Sequence, residues 1–547
     1  MLWGVGSFDL LPVKSQQIRY DVSLRVAAWA LLGATILAVL WARIHLASLP
    51  LERDEGEYAY TGRLLLLGIP PYKLAYSMKF PGTAAVYAVF LAIFGESSAG
   101  VHLGLILLNL STIGLMFLLG KRLFDQIGGI VAACAYAILS LMPYVLGQAA
   151  HATHFVVLPV IAGTLLLLRA LDRQSVGLIF ASGCLFGLGF LMKQPGVLFV
   201  IFGVVYLLAA NWRELKIGPA IFRNLLFLAG AIVPFVITCF VLWSAGVFGK
   251  FWFWTIEYAG VYGSRISIGE GLQIFAGEFP FVLGAAWPIW LVALIGLVLC
   301  LIIKPARTRI GFLTTFALFS LLAVSPGFYF RPHYFILLLP SISLLAGAAV
   351  TAGLKLLQSK PTALGYLLLL VCGVALAWPL AKEADFLFER PIVEANRMVN
   401  GINPFPESIR IADYIRAQSN DTDTVAVLGS EPEMYFYSRR LSATGYIYTY
   451  GLMEPQPYAH RMQLEMIHEI ETARPRFLVV VAMNRSWLAG PDSDQTVLKW
   501  VGNYCDANYE EVGLINISER SADYYFSTGP PGVKPSPEHI LIYRRKI

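Results

Sequence analysis

Five charges crowd into six residues near the start of the chain: Glu52, Arg53, Asp54, Glu55 and Glu57, within LPLERDEGEYAYTGRLLLLG at 49–68. A positioned carboxylate can take a proton from a hydroxyl, and Glu57, three residues after Asp54, would share a helical face with it. Further along stand Lys79 in MKFPG, Lys193 in FLMKQPG, and Arg331 with His333 in FYFRPHYF. These are side chains that can meet an anion, arginine through a planar fork suited to phosphate. His151 and His154 form an i, i+3 pair that could hold a metal together with a carboxylate. Each has a plain structural alternative. The acids would make a solvated patch, the lysines would snorkel, the arginine would anchor among aromatics, and the histidines would cap the end of a span.

The elements around these residues narrow the choice. The chain is 57% hydrophobic and 14% charged. Apolar runs recur almost end to end as far as about Leu380, which describes a polytopic α-helical membrane protein. Beyond Lys382 come charges, short β-like runs and turn residues. We therefore expect a membrane domain at 1–381 and a soluble α/β domain at 382–547. Eleven spans are expected at roughly 22–42, 100–119, 128–147, 154–170, 176–192, 196–210, 221–245, 279–303, 310–326, 334–354 and 362–381. The run at 81–95 falls short of the about 20 residues a bilayer core requires, and is expected to lie in the interface. The N-terminal stretch with Lys14, Arg19 and Arg25 reads as an uncleaved anchor. Five of the six cysteines lie in apolar runs and only Cys505 in the soluble part, so no disulfide framework is expected.

Charge sets the sidedness. With 81–95 not crossing, the clusters Lys121–Arg122, Arg169 with Arg173, Arg213–Lys216–Arg223, Lys304–Arg307–Arg309 and Lys355–Lys360 all face the cytoplasm. The acidic cluster, the long loop 246–278 and the C-terminal domain then face outward. The net charge of +6 belongs to these loops and is no sign of nucleic-acid binding. The middles of the expected spans lack Asp, Glu, Lys and Arg, whereas an ion-coupled transporter usually keeps such residues at midplane. Polar chemistry gathers on the outer face, which favours an interfacial enzyme over a transporter. Nucleotide sugars and ATP are cytoplasmic, so an activated donor used outside must be lipid-borne. No Walker loop, HExxH or GxSxG elbow suggests another chemistry.

Taken together, ERDEGEYAY after the first span, MKFPG about 25 residues on, GKRLFD, GLGFLMKQPG and RPHYFILLLP resemble the GT-C fold glycosyltransferases. The likeness is to the protein O-mannosyltransferase and 4-amino-arabinose lipid A transferase type, glycosyltransferase family 39, over roughly 20–380. It implies a GT-C membrane domain that moves a sugar from a polyprenyl-phosphate carrier to an extracytoplasmic lipid, glycan or protein. The implied setting is a bacterial inner membrane. It further implies Asp54, or else Glu55, as general base, and Lys79 as the cation that meets the leaving phosphate. Glu57, Lys193, Arg331 and His333 would be substrate contacts. Some enzymes of this fold use a divalent cation and others none, which leaves His151 and His154 open as ligands; no other cofactor is implied. The chain departs from the lipid A enzyme in having KFPG for Lys-Pro-Pro and QAAHATHF in place of an Arg-x-x-x-x-Asp pattern, so the acceptor does not carry over. An oligosaccharide ligase using a polyprenyl-diphosphate donor is the alternative enzyme.

In the C-terminal part, PESIRIADYIRAQ and HRMQLEMIHEIETA read as helices. TVAVLGS, RFLVVVAM, YEEVGLINI and HILIYRRK read as strands. GSEPEMY, at a strand end, resembles a nucleotide-type site but lacks a glycine-rich phosphate loop, and no catalysis is expected of this domain.

Overall fold

The computed structural model describes residues 22–212, 217–303, 309–527 and 533–546. Lys14 and Arg19 of the expected anchor, and Arg213, Lys216, Lys304 and Arg307 of the basic clusters, lie outside the described residues. The chain is a multi-pass membrane protein. Among the described residues seven helices are long and apolar enough to cross a bilayer: Val22–Ser48, Ser98–Leu123, Ala152–Arg173, Gly218–Ser244, Ile268–Ile302, Leu339–Leu356 and Thr362–Lys382. Shorter apolar helices at Gln126–Leu139, Val176–Met192, Gln194–Ala210 and Ile310–Val324 fall at the other four expected spans. Pro81–Phe94 is a fourteen-residue helix, about 21 Å long against a core of about 30 Å.

Two expected boundaries differ. The span drawn at 128–147 stops at Leu139, and a 3₁₀ turn Pro143–Val145 follows, with Leu146 left-handed at φ 51°. Pro143 has no N–H with which to extend the helix. The loop drawn at 246–278 contains short helical turns and then a helix Ile268–Leu283. That helix begins early because Ser267 and Glu270 form a reciprocal capping box.

The chain divides into two compact units. The first comprises Met1–Leu46, His102–Phe240 and Tyr262–Glu389. At its centre Gln126–Leu139, buried along nearly its whole length, packs on Leu339–Leu356. A Cβ on Gly347 would stand 2.3 Å from the Gly128 carbonyl oxygen. Only glycine permits this approach, and small residues are how helices meet where lipid replaces water.

The second unit comprises Ala47–Val101, Val241–Val261 and Arg390–Ile547. It is built on a six-stranded sheet of β1 Thr424–Leu428, β2 Leu441–Ser442, β3 Phe477–Ala482, β4 Tyr509–Ile517, β5 Ala522–Phe526 and β6 His539–Arg545. The order is β2-β1-β3-β6-β4-β5. β2, β1 and β3 run parallel, with Val427 opposite Val479; β3, β6, β4 and β5 pair antiparallel, with Val480 opposite Leu541. The helices Phe405–Ala417 and Ala459–Ala473 fall where the amphipathic pattern puts them. Trp254, Tyr258 and Tyr76, distant in sequence, pack with Tyr446, Leu428 and Met466 in one apolar core.

Candidate active site

The acidic stretch becomes a helix, Arg53–Leu66, and its first turn uses the carboxylates in two ways. Glu52 is the N-cap. Its carboxylate accepts from the Glu55 N–H at 2.9 Å, and the Glu55 carboxylate accepts from the Glu52 N–H at 3.3 Å. Glu55, the alternative base, is buried in this capping box. Asp54 and Glu57 sit together on another face. The Lys79 ammonium donates to Asp54 Oδ1 at 2.7 Å and to Glu57 Oε2 at 2.8 Å. Asp54 and Lys79 keep side-chain exposures of 18% and 22%, while Glu57 keeps 6%.

Local structure holds Lys79 in place. It lies just before Phe80, the N-cap of Pro81–Phe94, with Pro81 at the first helical position. The Tyr72 hydroxyl donates to the Lys79 carbonyl at 2.8 Å, and the Lys79 N–H donates to Ser77 Oγ at 3.1 Å. The ring of Tyr58 lies 4.6 Å from the ammonium and that of Tyr448 lies 5.8 Å away. Burial pulls the lysine pKa down, but Asp54 and Glu57 outweigh it and hold Lys79 well above the usual lysine range. Burial likewise pushes the Tyr58 phenol up, with Lys79 opposing. The group is therefore an ammonium shared by two acids, the more exposed of them Asp54. It can offer a cation to an anion and a carboxylate to a hydroxyl.

Arg53, one residue before Asp54, turns to the C-terminal sheet. Its Nε donates to the Ser430 carbonyl at 2.5 Å and its Nη2 to Glu431 Oε1 and Asn403 Oδ1, each at 3.2 Å. Sequence reasoning missed this connection. Glu431 stands 378 residues away, and no local signal links the two. Tyr448 was missed as well; it follows the core residues Tyr446 and Ile447 in a loop without motif.

In the first unit, the remaining expected residues gather on the segment Tyr329–Tyr334. Lys193 ends the helix Val176–Met192 with its ammonium 4.0 Å from the Tyr334 ring centre. Arg331 lies over Tyr329 at 5.7 Å. His333 is buried and stacks on His151, ring centres 4.1 Å apart and 12° from parallel. His151 is thus brought beside His333, while His154 is fully buried in the first turn of Ala152–Arg173. Two neighbouring imidazoles are a donor set that a divalent cation accepts.

Residues 78–243, less than half of the chain, match the family model for dolichyl-phosphate-mannose-protein mannosyltransferase. No curated protein matches the chain. Among solved structures it is similar to ArnT from Cupriavidus metallidurans bound to undecaprenyl phosphate, at 14% identity and TM-score 0.57. That likeness covers 94% of this chain and 97% of that one. It is also similar to the oligosaccharyltransferase AglB from Archaeoglobus fulgidus, in complex with an inhibitory peptide and a dolichol-phosphate, at 11% identity and TM-score 0.52. There the coverage is 92% of this chain and 75% of the other. The likeness establishes the fold: a GT-C membrane domain with a C-terminal domain containing a sheet.

Proposed function

We propose that the chain is a membrane glycosyltransferase that moves a sugar from a polyprenyl-phosphate carrier to an acceptor outside the cytoplasm. The observation that carries this is the Asp54–Lys79–Glu57 group, built in a chain with the GT-C fold. The partial match to a dolichyl-phosphate-mannose transferase model and the undecaprenyl phosphate bound by ArnT support a lipid phosphate as carrier. In the proposed organisation the membrane domain runs to 381 and the soluble domain from 382, on the outer side of a bacterial inner membrane.

In this mechanism Asp54 takes the proton of the acceptor hydroxyl as its oxygen bonds to the anomeric carbon. The carbon–oxygen bond to the carrier phosphate breaks, and the phosphate leaves with the electron pair. Lys79 meets that charge where it develops; a preorganised cation is worth most at that point in a partly dry site. A phosphate drawing the ammonium toward itself would also leave Asp54 free for the acceptor proton. Glu57, the more buried acid, would keep Lys79 in position. Lys193, Arg331 and His333 are proposed as further donor contacts. The Lys79 ammonium is one cation shared by two carboxylates, which suits one phosphate better than the two of an oligosaccharide-ligase donor. The test is purified protein in liposomes with labelled polyprenyl-phosphate sugars. Release of free polyprenyl phosphate that depends on acceptor and on Asp54 is expected; release unchanged in Asp54→Asn would overturn the assignment.

A further inference from the structure

Behind the acidic helix lies a second polar cluster, dry and closed. The Glu431 carboxylate accepts from Arg53 with one oxygen and from the Ser486 hydroxyl with the other, at 3.2 and 2.6 Å. The Ser430 N–H donates to Ser486 Oγ at 2.9 Å. Ser430 Oγ and Thr449 Oγ1 are 2.9 Å apart, the Thr449 N–H donates to Ser430 Oγ at 3.0 Å, and the Thr449 hydroxyl donates to the Ser486 carbonyl at 3.1 Å. Ser430, Glu431, Thr449 and Ser486 are all fully buried. The guanidinium of Arg53 lies over the rings of Tyr450 and Phe405, at 5.2 and 5.5 Å.

The two ends of this network adjoin the reacting groups in sequence. Arg53 immediately precedes Asp54, and Thr449 immediately follows Tyr448, whose ring faces the Lys79 ammonium. A buried ion pair is weak evidence for stability, because desolvation cancels much of its Coulomb gain. It does fix geometry, since neither charge can leave its partner without being stranded in a dry interior. Three further contacts set the same register: the Leu51 N–H donates to the Tyr437 hydroxyl and the Ser442 N–H to the Tyr60 hydroxyl, each at 2.8 Å, and Gly56 lies against the Glu433 backbone.

We propose that Arg53, Glu431 and Thr449 are positioning residues for sugar transfer, and that the network places Asp54 and Tyr448 beside Lys79. The C-terminal domain thereby has a role in the reaction without touching the reacting atoms. Their effect on transfer rests on Asp54 being the base, whereas their hold on the two segments does not.

The test uses the full chain in nanodiscs. The double variant Arg53→Met/Glu431→Met removes both buried charges, so its thermal midpoint should stay near wild type. Amide exchange in 51–60 and 444–451 should rise by at least about tenfold, while β1 and β3 keep their protection. Transfer should lose kcat, with binding of unglycosylated polyprenyl phosphate retained, and Arg53→Lys should restore part of it. If the double variant fails to fold, Thr449→Val and Arg53→Lys carry the same comparison with smaller shifts. Wild-type exchange in both segments would overturn the proposal, as would wild-type kcat despite loosened segments. If the wild type transfers no sugar from any donor offered, the proposed function fails while the exchange result still decides whether the network holds the two segments.

Discussion

Two ionic groups meet at the first turn of one helix, and they differ in wetness. Lys79 with Asp54 and Glu57 is partly open, Lys79 and Asp54 keeping roughly a fifth of their side-chain surface. Arg53 with Glu431 is closed, at 10% and 0%. Adjacent residues, Arg53 and Asp54, have been given opposite environments. A partly open lysine can exchange one partner for another; a closed arginine, held by three hydrogen bonds from a rigid planar fork, cannot do so cheaply. On the proposed function, chemistry falls to the open group and placement to the closed one. This division can be broken from either side.

The largest effect is expected at Asp54. Asp54→Asn keeps the shape and a hydrogen bond to Lys79 but cannot accept a proton. Transfer should fall by about 10²–10⁴-fold with polyprenyl-phosphate binding largely intact. Glu55→Gln, in the capping box, should instead cost about 1 kcal/mol or less of stability and little transfer. If Glu55→Gln abolishes transfer while Asp54→Asn does not, the division of the first turn is reversed.

Next comes Lys79→Met, expected to lower transfer by about 10²–10³-fold and to weaken carrier binding as well. Binding and turnover measured together separate it from Asp54→Asn. Equal carrier affinity in the two variants would remove Lys79 from the phosphate site.

Gly56→Ala probes how closely the helix meets the C-terminal region. A Cβ there would stand 2.6 Å from the Glu433 nitrogen and 2.8 Å from its Cα, so overpacking should destabilise by about 1–3 kcal/mol. A thermal midpoint equal to wild type would show that the helix can move away.

A further effect is a pH dependence of stability. Burial and the nearby Glu431 push the Glu433 carboxyl up to about 8, from an ordinary 4.5. The folded chain therefore holds a proton between those values that the unfolded chain has released, and stability falls as pH rises from about 4.5 to 8. Glu433→Gln should flatten that slope in melts taken across the range. An unchanged slope would place the proton elsewhere.

Much of the fold was legible because apolar length is a coarse signal that survives without tertiary context. The breaks were less so. Pro143 after Leu139 and the Ser267–Glu270 box were both readable in principle, but continuous apolar runs masked them. Ala522–Phe526, an edge strand reading ADYYF with an acid inside it, was missed because little of it is buried. At the site, the i, i+3 spacing of Asp54 and Glu57 anticipated a common face, and that face meets Lys79. What could not be read was the use of each charge. Glu52 and Glu55 look no different from Asp54 in a string of letters until the helix start is known. GSEPEMY, read as resembling a nucleotide-type site, supplies Ser430, Glu431 and Glu433 as the socket for the acidic helix. Cys505, the only cysteine expected in the soluble domain, is buried in the core, so labelling to establish sidedness needs a cysteine introduced at exposed Arg520.

The most direct measurement of the central claim compares lipid-linked sugars and envelope glycans by mass spectrometry in three strains. One lacks the chain, one carries it, and one carries Asp54→Asn. The strain lacking the chain and the Asp54→Asn strain should both accumulate a polyprenyl-phosphate sugar and lose one envelope modification, and the wild-type chain should restore both. Identical lipid-linked pools and glycans in all three strains would contradict it.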